Sequence, residues 1–126
     1  MDDKTLLELA AKAAGSPVVI GRNHSDQPDI WRIDEAGDRI EWNPLTDDGD
    51  ALRLAVKLNL HIGIDCESAG CVVIQWGFDA SGESAGSIVQ EAPITGDDYA
   101  ATRRAIVRAA AEIGKSMQAA PAAGNN

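Results

Sequence analysis

His61-Ile62-Gly63-Ile64-Asp65 and Cys71-Val72-Val73-Ile74-Gln75-Trp76 are the stretches on which the fold turns. Both read as strands, joined through Glu67-Ser68-Ala69-Gly70 as a hairpin loop. Successive strand side chains point to opposite faces, so three consecutive apolar residues, Val72-Val73-Ile74, put apolar surface on both sides. A strand of that kind is expected to be covered above and below. Two covering layers imply a three-layer alpha-beta-alpha sandwich of the α+β class, with helices on both faces of a largely antiparallel sheet. If Cys66 stands opposite Cys71, Ile64 faces Val73 and Ile62 faces Gln75.

The flanking sequence supplies the helices. Before the hairpin, Thr46 is a candidate N-cap, with Asp47, Asp48 and Asp50 near the positive end of the helix dipole. Ala51, Leu52, Ala55 and Leu58 then form an apolar stripe, and Asn59 suits a left-handed end. After the hairpin, 79–86 reads as a turn and Ser87-Ile88-Val89 as a strand. Thr95 or Asp97 caps a long final helix with Tyr99, Ile106, Ala110, Ile113 and Met117 on one face and Arg104, Arg108 and Lys115 on the other. At the front, Asp2 and Asp3 cap a helix carrying Leu6, Leu9, Ala10 and Ala13, which Gly15 and Pro17 end. Val18-Val19-Ile20 follows as a strand, and Ile30–Ile33 with Arg39–Trp42 as a second hairpin around Gly37. The order is α-β-β-β-α-β-β-β-α. Residues 1–117 form one domain, and 118–126 read as a flexible tail with Pro121 and Gly124.

Composition bounds the function. The 126 residues hold 20 acidic and 11 basic side chains, a formal net charge of −9. The deficit lies in residues 1–96, at −10, while the final segment is nearly neutral. Such a chain repels phosphate backbones, which argues against duplex nucleic acid as a direct partner. No apolar run approaches the roughly 20 residues needed to span a bilayer, so no membrane is expected. No signal peptide is visible, and a cytoplasmic setting follows. Two cysteines do not make a disulfide framework.

Few constellations carry chemistry. Cys66 and Cys71, with His61 and Asp65, lack a standard zinc spacing, and neither metal nor cofactor is expected. A thiol beside a carboxylate is poorly activated, which weakens an enzyme built on His61, Asp65 and Cys66. Asp47-Asp48-Gly49-Asp50 lacks the alternation of a calcium loop and is explained by the helix dipole. His24-Ser25-Asp26 reads as a polar turn. No nucleophile elbow, Walker loop or dinucleotide fingerprint occurs, so no catalytic residue is assigned. The binding candidates are Trp42, Asn43, Thr46, Asp47, Asp48 and Asp50 around the Asn-Pro turn. There an aromatic ring beside a helix amino terminus suits a planar, nucleotide-like anion, which the three aspartates oppose; core packing is the main reading of Trp42 itself. Arg103 joins them because helical rotation brings it near the apolar face, where it can reach a carboxylate or an anionic ligand.

Trp42-Asn43-Pro44-Leu45-Thr46-Asp47-Asp48-Gly49-Asp50-Ala51-Leu52-Arg53-Leu54-Ala55-Val56-Lys57-Leu58 resembles the Asn-Pro-turn-helix segment of the phage ABA-sandwich domain family, small bacteriophage proteins distantly similar to NinX. Thr95 to Ala110 resembles the closing helix of those proteins, and Leu6 to Ala14 the opening one. The resemblance implies an alpha-beta-alpha sandwich, a phage or prophage origin and a place in the bacterial host cytoplasm. It carries over no catalytic residue. The resulting expectation is an accessory protein that acts by binding. It would modulate a host protein, including one of a defence system, or sequester its nucleotide signal. A small enzyme and a self-assembling structural protein, a homo-oligomer, are the alternatives.

Overall fold

The computed structural model describes residues 2–15, 18–22, 28–33, 36–65, 71–91 and 98–124. Three helices, α1 (Asp3–Ala14), α2 (Asp48–Lys57) and α3 (Asp98–Gly124), alternate with six strands: β1 (Val18–Arg22), β2 (Pro28–Ile33), β3 (Arg39–Glu41), β4 (His61–Asp65), β5 (Cys71–Trp76) and β6 (Gly86–Glu91). The α+β class, the element order and the antiparallel pairing are those expected from the sequence. The strands divide, however, into two sheets of three, β1-β2-β3 and β4-β5-β6, where a single sheet is expected. Short hairpins pair each strand with its neighbour in the chain, and α2 intervenes between the two sets.

The helix ends follow from local chemistry. Asp2 caps α1 by accepting from the Thr5 N–H at 2.8 Å, and Gly15 closes it at φ +69°. Asp47, not Thr46, caps α2, accepting from the Asp50 N–H at 2.8 Å. A carboxylate is the stronger acceptor there and adds its charge to the dipole. Asn59 takes the left-handed conformation at φ +53° just past α2, as expected.

Two apolar stripes differ from the sequence reading. On α2 the buried residues are Asp50, Ala51, Leu54 and Ala55, and Leu52 is exposed. A shift of one residue turns a helix by about 100°, which is enough to carry Leu52 off the core stripe. On α3, Ala105, Ile106, Val107, Ala109, Ala110 and Ala111 are all buried, whereas Tyr99 and Met117 are exposed. Burial on so many sides makes α3 the centre of the molecule. It packs on α1, α2, β5 and β6. The helix also continues through residues 118–124, which the sequence reading assigns to a tail.

The second sheet corrects the opening argument. Asp65 pairs with Cys71, Ile64 with Val72, Ile62 with Ile74 and His61 with Gln75, one residue out of the expected register. Ile88 pairs with Ile74 on the other side. This register gathers Ile62, Ile64, Val72, Ile74 and Ile88 on one face, and a one-residue slip would scatter them. Val72 and Ile74 are buried under α3, while Val73 on the opposite face is only half-buried. The strand is therefore fully covered on one side only. Fully burying side chains such as Ile74 and Leu7 contributes roughly 1.5–3 kcal/mol each. Cys66 with the 67–70 loop, His24-Ser25-Asp26 and the cap candidates Thr95 and Asp97 lie outside the described residues.

Candidate functional site

The expected binding residues gather around the Asn43–Asp50 turn, where their polar groups are occupied by one another. Asn43 Oδ1 accepts from the Leu45 N–H at 3.0 Å, and the Asn43 carbonyl accepts from the N–H groups of Thr46 and Asp47. The buried Asp50 carboxylate accepts from the Asn43 N–H at 3.0 Å and from Arg53 Nη2 at 2.8 Å. That bond to Asp50 is the main cause holding the Arg53 guanidinium above its ordinary pKa. Thr46 stays at the surface, within 3.5 Å of the Asn43 carbonyl through its hydroxyl.

Arg103 crosses to this turn from α3. Its Nη1 donates to Asp48 Oδ1 and its Nε to the Leu45 carbonyl at 2.9 Å. The side chain is only 16% exposed, so the planar guanidinium fixes α3 to the entry of α2. Trp42 packs into the hydrophobic core and also lines a small pocket beside α2. The structure thus joins Arg103 to Asp48 and Leu45, and Asp50 to Asn43, but it does not bring Trp42 and Arg103 into one cavity.

A larger opening lies elsewhere. An open groove of about 860 Å³ runs between α3, with Leu6 of α1, and the β5–β6 end of the second sheet. Arg104, Arg108, Glu112 and Ser116, four residues apart along α3, line one wall. Trp76 and the Ala85–Ile88 stretch line the other. Trp76 pairs directly with Gly86, and its indole crowds that glycine: a Cβ there would stand 2.6 Å from Cε2. Arg104 also reaches Asp3 Oδ1 at 3.1 Å, a half-exposed contact of the kind that contributes about 1 kcal/mol or less.

No family model, curated protein or solved structure matches this chain.

The groove residues were not singled out as a site by the sequence, which places Arg104 and Arg108 on a solvated outer face and Trp76 at a strand end. The usable signal is the four-residue spacing of Arg104, Arg108, Glu112 and Ser116, a polar stripe on an otherwise alanine-rich helix. Among the described residues, no group of three or more His, Cys, Asp or Glu converges as a metal site. None of the described helices is long and apolar enough to cross a membrane.

Proposed function

We propose that this protein acts by binding, and that the groove between α3 and β5–β6 receives an anionic, ring-bearing molecule of the nucleotide class. The observation that carries the reading is the placement of two arginines, one turn apart, facing Trp76 across an open groove in a chain of net charge −9. Guanidinium groups engage phosphate through paired N–H donors, and an indole offers a stacking face. The groove volume falls within the 300–1,000 Å³ usual for small-molecule sites. Glu112, on the same wall, favours a ligand with hydrogen-bond donors at one end.

The role that fits such binding is that of a bacteriophage accessory protein, which removes a nucleotide signal from a host system. The phage setting is what the resemblance of the opening helix, the Asn-Pro turn and the closing helix to phage ABA-sandwich proteins implies, and the role itself rests on the binding reading of the groove. A second reading, direct docking on a basic host protein, is favoured by the charge of −10 over residues 1–96.

Calorimetric titration with a panel of mono-, di- and cyclic nucleotides tests the first reading. A saturable heat that falls at least tenfold in affinity in Arg104→Ala and in Arg108→Ala supports it. Absence of binding across the panel, or binding indifferent to both substitutions, removes it. Salt-sensitive capture of a defined host protein, unaffected by the same substitutions, favours the docking reading.

A further inference from the structure

We infer that a second and smaller anion site lies between β2 and α2, in a pocket of about 180 Å³ walled by Trp42 and receiving Arg32, Arg53 and Lys57. Three cations converge there in a chain with almost twice as many acidic as basic side chains. Arg53 is held in place by Asp50 at 2.8 Å and stands 3.8 Å from Asp47, so its charge is largely answered. Arg32 and Lys57 have no ion-pair partner among the described residues. Lys57 also follows Arg53 by four residues on α2, a like-charge spacing that is unfavourable by itself.

The apolar walls are Ala14, Leu54 and the Trp42 ring, all buried. Arg53 and Lys57 stay largely exposed above these walls, where an anion can reach them directly from solvent. The pocket is too small for a whole nucleotide and large enough for a tetrahedral oxyanion. The ligand class is therefore a phosphate group, free or as the end of a small phosphomonoester. This site shares no residue with the α3 groove and stands or falls independently of it.

Inorganic phosphate, titrated at constant ionic strength against chloride, is the direct probe, read by the Trp42 indole N–H resonance. A saturable shift in the native protein, lost in the folded Arg32→Gln/Lys57→Gln double variant and retained in Arg104→Gln, supports the site. Thermal unfolding gives a second readout. Phosphate raises the melting temperature of the native protein, and Lys57→Gln alone raises it in chloride while removing the phosphate increment. Linear, non-saturating shifts, or a response that survives the double variant, would overturn the inference.

Discussion

Gly114 of α3 lies against the main chain of Leu9 in α1: a Cβ at position 114 would stand 2.8 Å from the Leu9 carbonyl carbon and closer still to its oxygen. Neither backbone can yield without moving a whole helix. The two helices touch at a point where only hydrogen fits.

Gly114→Ala is therefore expected to destabilise the protein. In an exposed helix the same change gains about 1 kcal/mol. Here overpacking is expected to cost about 1–3 kcal/mol or more. The sign of the shift in urea midpoint decides between a glycine that merely weakens a helix and one that permits contact.

Asp50, in the first turn of α2, ties that helix to the turn before it. Asp50→Ala leaves the Asn43 N–H without its acceptor and releases Arg53. A loss of about 1–3 kcal/mol is expected in chemical unfolding. Arg103→Lys keeps the charge near Asp48 but gives up the Nε bond to Leu45, and about 1 kcal/mol should be lost with it.

Acid should weaken the protein at an exposed helix cap and an exposed turn. The Thr5 hydroxyl and N–H hold the Asp2 carboxyl below the ordinary aspartate value of 3.8, and Ser81 with the Glu83 N–H does the same for Asp79. A depressed folded-state pKa means the unfolded chain binds protons first. The contribution of each is complete above 3.8 and fades as pH falls through the folded values. Carbon-detected titration of the carboxyls should place both midpoints below 3.8, and Asp79→Asn should flatten the acid limb of the stability curve.

Gly86→Ala should act on the groove without touching an arginine. The added methyl would push the Trp76 indole off the sheet. The expected outcome is a shifted tryptophan emission and at least a tenfold loss of nucleotide affinity, with Arg104 and Arg108 intact.

The helices were legible because their signals are local. Asp2, Gly15 and Asn59 end or begin helices where their side chains and backbone freedom say they should. The β4–β5 register was not, because Asp65↔Cys71 and Cys66 opposite Cys71 differ by one residue across a loop. Only the shared burial of Val72 and Ile74 beneath α3 separates them. Of the candidate site, the contact between Arg103 and a carboxylate could be anticipated from helical phase. The α3 groove could not, since Trp76, Gly86 and Arg104 come from three separate elements. Val73 misled for a related reason: an apolar residue on a strand states what can be buried, not that a layer is present to bury it.

The central position of α3 also makes the core depend on contacts between distant parts of the sequence. Leu7, Leu9 and Ala10 lie on α1, yet α3, the helix that packs on α1, follows every strand of both sheets. Contacts between α1 and α3 span nearly the whole sequence, and closing so long a loop is slow. The core between α1 and α3 therefore closes only when two segments separated by both sheets in the chain come together.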